Sequence, residues 1–233
     1  MDAGDGGRPE RVSAHVWRLQ LPSRTLPPFD HVNVHLVASN GVGVVVDPGS
    51  PGEDAARVTL DALRNAGVRL LKAVLLTHTH PDHIEGLGPL LELARDCVVY
   101  VHPLEADRLE GVPALIPLGG DRRIAVGDAT VRSLHTPGHS PGHLTFLVEE
   151  DGVALVGDLV AGQGSSWVGV PEGDVAEYLA SVARLRALEP RLLAPGHGPL
   201  VADADGKLAA ATGHRLQREA QVLDALSGGA RDL

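Results

Sequence analysis

The chain has a single cysteine and lacks any long apolar segment. Cys97 cannot form a disulfide within the chain, and the apolar residues after it predict a small buried side chain at a strand. No stretch approaches the roughly 20 apolar residues of a membrane-spanning helix, and the acidic, glycine-rich first residues do not resemble a signal peptide. We therefore expect a cytoplasmic protein without a membrane partner.

Positive charge is also scarce, because 20 lysines and arginines stand against 30 aspartates and glutamates, which gives a formal net charge of -10. Affinity for nucleic acid depends largely on lysine and arginine side chains that neutralise phosphates. Tight binding to long nucleic acid is therefore not expected. Arg215 and Arg218, near the end of the chain, are expected to be solvated or paired with nearby carboxylates.

Potential metal ligands are concentrated in one segment of the chain. It follows an apolar run and reads Thr77-His78-Thr79-His80-Pro81-Asp82-His83. His78 and His80, two residues apart, can bind one ion from an extended backbone. Pro81 favours the first turn of a helix, so Asp82 and His83 point in another direction and suit a second ion.

Four ligands do not complete two metal sites, so further histidines or carboxylates are required elsewhere. Three more segments share the same design, in which an apolar strand is followed by a metal ligand. The ligands that these segments supply are His139, Asp158 and His197. Because open sheets place their sites at the carboxyl ends of strands, we expect all of these side chains to meet at one edge.

The complete set resembles the metallo-β-lactamase superfamily, whose His-x-His-x-Asp-His motif is followed downstream by a His, an Asp and a His. All seven positions match. The resemblance implies one metal held by His78, His80 and His139, a second held by Asp82, His83 and His197, and a bridge formed by Asp158.

Two further residues are candidates for supporting the ligands from outside. Asp47 ends an apolar strand and matches an acidic residue that steadies a ligand imidazole in many members of the superfamily, although Asp-Pro also begins ordinary turns. His143 either supports a ligand or simply begins a strand. The other five histidines are expected to be ordinary core or surface residues: His15, His31, His35, His102 and His214.

The hydropathy pattern predicts one α/β domain over 1–233, with residues 1–10 disordered. Strands are predicted at 12–21, 32–37, 42–47, 73–76, 98–101, 144–149, 153–157 and 192–194, and a hairpin is predicted at 124–134 with its turn at Gly127-Asp128. Helices are predicted at 53–66, 82–95, 103–109, 175–185 and 203–226. Strands followed by helices in both halves fit a sandwich of two sheets with helices outside both, the four-layer αββα architecture of the superfamily.

Two divalent ions, zinc first and manganese or iron as alternatives, would lower the pKa of a bridging water to about 7 and supply a hydroxide nucleophile. The sequence therefore predicts a binuclear hydrolase of an ester, thioester or phosphodiester bond. Asp82 is the candidate for moving the proton to the leaving group. The substrate is expected to be a small molecule or a short oligonucleotide.

Two alternatives remain open at the level of sequence. The segments Gly162-Gln163-Gly164-Ser165-Ser166 and 194–199, with 214–223, resemble the β-lactamase-like endoribonuclease group of the mitochondrion and its bacterial relatives. Members of that group continue into a further tail, whereas this sequence stops at Leu233. Persulfide dioxygenases, by resemblance, would use a single iron at His78, His139 and Asp158.

Overall fold

Two β-sheets carry most of the regular structure in residues 7–227, the part of the chain that the computed structural model describes. The first sheet has seven strands in sequence order. They are β1 (Glu10–Arg11), β2 (Val16–Pro22), β3 (His31–Ser39), β4 (Val42–Val46), β5 (Leu70–Leu75), β6 (Val98–Val101) and β7 (Leu115–Pro117). Neighbours from β1 to β4 are antiparallel, and neighbours from β4 to β7 are parallel.

The second sheet has five strands and ends on a parallel pair. In spatial order they are β12 (Leu192–Pro195), β11 (Val153–Gly157), β10 (Leu144–Val148), β9 (Ala129–His135) and β8 (Arg122–Val126). The β11 and β12 strands are parallel, so their carboxyl ends lie at the same edge. Two of the predicted ligands, Asp158 and His197, follow these strands at that edge.

Helices cover the outer face of each sheet. They are α1 (Glu53–Asn65), α2 (Pro81–Ile84), α3 (Leu87–Leu93), a 3₁₀ helix (Pro103–Leu109), α4 (Val175–Arg186) and α5 (Ala204–Ser227). In α1 the buried residues Ala56, Thr59 and Leu63 recur at helical spacing, which buries one side of the helix. None of the helices within residues 7–227 combines the length and apolar composition needed to cross a membrane.

Three apolar cores separate four layers. Strand β3 shows the reason, because it is buried on both faces: Val34 and Leu36 pack toward α1 and α3, while Val37 packs between the two sheets. A third core lies between the second sheet and α4 with α5. The predicted αββα sandwich is confirmed.

Several predicted boundaries differ from the structure. The helix predicted at 82–95 is two helices, α2 and α3, separated at Gly86. A Cβ there would lie 2.3 Å from the Ser50 carbonyl oxygen, so the glycine permits a close backbone approach where the helix would otherwise continue. The strand predicted from residue 12 starts at Val16, after a bend, and β7 was not predicted.

The chain termini need two further remarks. The disorder predicted for 1–10 falls largely on residues 1–6, which lie outside the described residues, while Glu10 already pairs with Arg18 in the first sheet. The expectation that Arg215 is solvated or paired with a carboxylate is wrong. Its guanidinium donates to the Ser166 carbonyl and lies 5.3 Å from the ring centroid of Tyr178.

Candidate metal centre

All seven predicted ligands meet at one edge of the sandwich. They come from the segment after β5, from α2, from the loop between β9 and β10, and from the ends of β11 and β12. Their ligand atoms form three overlapping groups, each with all atoms within 4.8 Å of one another: His78, His80 and His139; His78, His83 and Asp158; Asp82, His83 and His197.

The first group is formed by three imidazole nitrogens that face one another. His78 Nε2 lies 3.0 Å from His80 Nδ1, and His139 Nε2 lies 3.3 Å and 3.0 Å from these two atoms. His78 and His139 are buried, and His80 is at the opening of the site. These three are the residues that the sequence assigns to one metal.

Asp158 lies between this group and the group of Asp82, His83 and His197, which is called the second group below. Its Oδ2 is 3.6 Å from His139 Nε2, while its Oδ1 is 3.4 Å from His83 Nε2 and 3.6 Å from His197 Nε2. Asp82 Oδ2 completes the second group at 3.3 Å from His197 Nε2. One carboxylate oxygen thus faces each group, which is the arrangement that a bridging ligand requires.

Backbone carbonyl oxygens set the tautomers of two ligand imidazoles. His139 Nδ1 lies 2.8 Å from the Trp167 carbonyl oxygen, and His197 Nδ1 lies 2.8 Å from the His31 carbonyl oxygen. A carbonyl can only accept, so both rings carry their proton on Nδ1. Their Nε2 lone pairs therefore point into the site.

Asp47 orients two more imidazoles. Its Oδ2 accepts from His83 Nδ1 at 2.9 Å and from the Thr77 hydroxyl at 2.6 Å, and its Oδ1 accepts from the Thr77 amide at 2.8 Å. Because the Thr77 hydroxyl donates to Asp47, its oxygen is free to accept from His78 Nδ1, 3.0 Å away. Asp47 also has a φ of 53°, an uncommon backbone state of the kind that clusters at functional sites.

His143 contacts the backbone of a ligand rather than its side chain. The Asp158 amide donates to His143 Nε2 at 3.2 Å, and Thr136 Oγ1 lies 2.9 Å from His143 Nδ1. Gly157 makes room for this arrangement with a φ of 47°, since a Cβ there would lie 2.8 Å from His143 Nε2. Of the two interpretations that the sequence left open, the supporting role fits these contacts.

The donor set fits divalent metal ions. Each ligand imidazole has its outer nitrogen beside an oxygen atom, and its inner nitrogen faces the other candidate ligands. His83 Nε2 and His197 Nε2 are buried and have no hydrogen-bond partner. Unpaired buried nitrogens are costly, and a cation bound to imidazole and carboxylate ligands satisfies them.

Opposite charges in and beside the second group shift the pKa values of its side chains. Burial lowers the pKa of His83, but the carboxylates of Asp158 and Asp47 outweigh it and raise that pKa well above its usual value. Burial raises the pKa of Asp158, but the charge of His83 outweighs it and holds the pKa far below its usual range. Burial likewise opposes the ionisation of Asp82, whereas the His197 ring, with its Nε2 3.3 Å from Asp82 Oδ2, lowers the pKa of Asp82 to about 2. Both acids are thus ionised at neutral pH, as metal ligands must be.

Several contacts at the site were missed by the sequence prediction. Phe29 stacks on the His197 ring with 5.7 Å between centroids, and the Asn33 amide donates to the Gly198 carbonyl at 2.8 Å. Thr77, inside the motif itself, could have been inferred from its position beside His78. Phe29 and Asn33 lie more than 160 residues away from their partners in sequence and carry no local signal.

A family model described as the metallo-beta-lactamase superfamily matches residues 27–197, a range that includes all seven ligand candidates. Over 217 residues the chain is 31% identical to the lactamase-like protein vrtG of Penicillium aethiopicum, covering 93% of this chain and 67% of that protein. It is 29% identical over 223 residues to an atrochrysone carboxyl ACP thioesterase of Passalora fulva, covering 94% of this chain. The chain spans 63% of the length of that thioesterase.

The fold of the chain is also similar to solved structures. One is TTHA1623, solved in a di-iron-bound form, with a TM-score of 0.62 and 33% sequence identity. The match covers 77% of this chain and 93% of TTHA1623.

Proposed function

The chain belongs to the metallo-beta-lactamase superfamily, and from this premise we propose that it hydrolyses thioesters with the help of two divalent metal ions. The observation that carries the proposal is the convergence of five imidazoles with their free nitrogens turned inward, around a carboxylate that faces both groups. Thioesters are proposed as the substrate class because related proteins of this family bear the name of thioesterases.

The ligand groups define which residues would hold each ion. One ion would be bound by His78, His80 and His139, the other by Asp82, His83 and His197, with Asp158 shared between them. Zinc is our first choice, because its preferred ligands are nitrogen and carboxylate oxygen. The di-iron form of TTHA1623 makes iron the alternative to test.

Two such metal ions, when bound, would supply a nucleophilic water with a pKa of about 7 and would polarise a carbonyl oxygen of the substrate. Asp82 is ionised and 15% exposed at its side chain, so it can accept a proton from the water and transfer it to the leaving sulfur. Asp47 and Thr77 hold the imidazoles of His83 and His78 in place.

The endoribonuclease alternative receives less support from the structure. Arg215, which lies in one of the segments that resemble that group, is occupied by the Ser166 carbonyl and the Tyr178 ring, and Arg218 bonds to Gln221. The Arg215 guanidinium is therefore held against the protein. The mononuclear oxygenase alternative leaves the inward-facing nitrogens of His83 and His197 without a role.

Hydrolysis of model substrates tests the proposal. Zinc-loaded protein would be assayed with a short acyl thioester of N-acetylcysteamine, with the corresponding oxygen ester, and with bis(p-nitrophenyl) phosphate. We expect kcat/KM to be highest for the thioester and to fall strongly in Asp82→Asn, which retains the shape of the side chain but accepts protons poorly. Turnover of the phosphodiester without turnover of either ester would contradict the proposal.

A further inference from the structure

Two carboxylates beside the first ligand group have no part in the proposed chemistry. Glu105, on the 3₁₀ helix, is only 3% exposed, and Glu172, in the loop before α4, is partly buried. Arg108 lies between them: its Nη2 is paired with Glu172, and its Nη1 is 3.8 Å from Glu105 Oε2. Burying a carboxylate is costly unless its oxygens are hydrogen-bonded or paired with a cation, so the partners of these two side chains must offset that cost.

Glu105 joins the two loops that carry the first ligand group. Its Oε2 accepts from the Thr79 hydroxyl at 2.5 Å and from the Thr79 amide at 3.3 Å. Its Oε1 accepts from the Gly142 amide at 3.0 Å. Thr79 separates His78 from His80, and Gly142 lies three residues after His139. One buried side chain therefore ties the two loops together.

Glu172 acts on a ligand ring directly. Its Oε2 lies 3.1 Å from His80 Nε2, and a carboxylate at that position requires the ring to carry its proton on Nε2. His80 Nδ1, which faces His78 and His139, is then left with its lone pair directed into the site. His80 is the ligand that is not anchored by Asp47 or by a backbone carbonyl among the contacts described above.

We infer that Glu105 and Glu172, linked through Arg108, are positioning residues for the first metal site. Glu105 holds the two ligand loops at a fixed separation, and Glu172 fixes the tautomer and direction of His80. This inference rests on the proposed metal pair. The second site depends on other partners, Asp47 for His83 and the His31 carbonyl for His197, so the effect is expected at one site only.

Zinc affinity measures the effect without relying on catalysis. The metal-free full chain would be titrated with zinc ions against a chromophoric chelator, and both dissociation constants would be determined. In Glu172→Ala we expect the affinity of one site to fall by about 10-fold to 100-fold, the range for loss of a carboxylate that orients a ligand histidine. The affinity of the other site stays unchanged.

Two variants separate positioning from loss of charge. Glu172→Gln retains an oxygen that can accept from His80, so its affinity should lie between those of the wild type and Glu172→Ala. Glu149→Ala is the matched control, because Glu149 is a similarly exposed carboxylate whose side chain pairs with Arg123 and not with a candidate ligand. It should bind zinc as the wild type does.

Glu105→Gln tests the loop connection. An amide nitrogen cannot accept a hydrogen bond, so either the Thr79 or the Gly142 contact is lost, and the same site should weaken. Because loss of a buried carboxylate can prevent folding, the circular dichroism of Glu105→Gln is measured first. If this variant does not fold, the result for Glu172→Ala alone tests the inference.

The outcomes distinguish this inference from the proposed function. If the wild type does not bind two zinc ions, both fail. If it binds two and Glu172→Ala weakens neither site, or both equally, the positioning roles are wrong while the metal pair stands. Selective weakening of one site, with partial rescue in Glu172→Gln, supports the inference.

Discussion

At the scale of single residues, the site depends on hydrogen bonds behind the ligands. A carbonyl oxygen behind His139 or His197, or a carboxylate behind His83, decides which ring nitrogen carries the proton. The opposite nitrogen is then committed to the interior of the site. Neutral imidazole nitrogens and ionised carboxylates are the protonation states in which these side chains bind metals.

Asp158→Ala removes the carboxylate that faces both ligand groups. We expect metal content to fall and kcat/KM for the best substrate to decrease by at least about a thousandfold, because electrostatic stabilisation by bound metal is worth several kcal/mol. Metal analysis and steady-state kinetics measure both effects. Asp224→Ala, at an exposed position on α5, is the control. Unchanged stoichiometry and activity in Asp158→Ala would show that Asp158 is not shared between the sites.

His83→Ala removes a side chain that we assign to the second metal ion, together with Asp82 and His197. Its ring lies against Asp47 and Asp158, so we expect the second metal to be lost preferentially and a mononuclear protein to remain. Metal stoichiometry after dialysis measures this, with the exposed His214→Ala as control. Equal loss of both metals would mean that the two sites do not bind independently.

At the scale of elements, the break between α2 and α3 determines where Asp82 and His83 lie relative to Asp47. The Gly86 amide donates to the Pro48 carbonyl at 2.8 Å, next to Asp47. This contact fixes the end of α2 against the turn at Asp47. Helix α2 carries Asp82 and His83, and Asp47 orients the His83 ring. The site therefore depends on a glycine that binds nothing itself.

Gly86→Ala would force a methyl group against backbone oxygens, with 2.3 Å to the Ser50 carbonyl oxygen. We expect the free energy of unfolding to decrease by about 3 kcal/mol, the upper end of typical overpacking costs. Urea denaturation measures the change. Gly88→Ala is a closely matched control, because a Cβ there meets nothing within 4 Å and alanine favours a helix. Equal stability of the two variants would refute the explanation.

Sequence patterns were sufficient for elements whose periodicity is strong. The β3, β4, β10 and β11 strands and α1 lie where apolar residues predicted them. The break at Gly86 was missed because the reason for it, the Ser50 and Pro48 carbonyls, lies nearly 40 residues earlier in the chain. The short edge strand β7 has too few residues for a periodic signal.

The same limit applies to the candidate site. The ligands could be predicted because they occur at recognisable spacings after apolar strands, as His78, His80 and His139 do. Glu105 and Glu172 could not, since their partners are brought to them only by the packing of the 3₁₀ helix and the loop before α4. A carboxylate that supports a ligand across the fold leaves no pattern in a single sequence.

At the scale of the whole molecule, net charge affects which substrates can approach. The formal charge of -10 opposes binding of polyanions, and the side chain of Arg215 is held against Ser166 and Tyr178. The centre itself lies at an edge with carboxylates around its opening, among them Asp82 and Glu172. We therefore expect small uncharged or weakly charged substrates rather than long nucleic acids.

Binding of a single-stranded RNA oligomer tests this conclusion. We expect no sub-micromolar affinity at physiological salt, because the formal net charge of -10 opposes the approach of a polyanion. Fluorescence anisotropy over a range of salt concentrations is the measurement. Tight binding that weakens steeply with salt and is lost in the Arg215→Ala, Arg218→Ala double variant would instead favour an endoribonuclease.

The metal content of freshly purified protein tests the central claim most directly. Elemental analysis by inductively coupled plasma mass spectrometry, after removal of loosely bound ions, gives the number and identity of metals per chain. The two ligand groups and the shared Asp158 predict two divalent ions per chain, with zinc first. A single iron per chain, or no bound metal after growth in metal-supplemented medium, would contradict the binuclear centre.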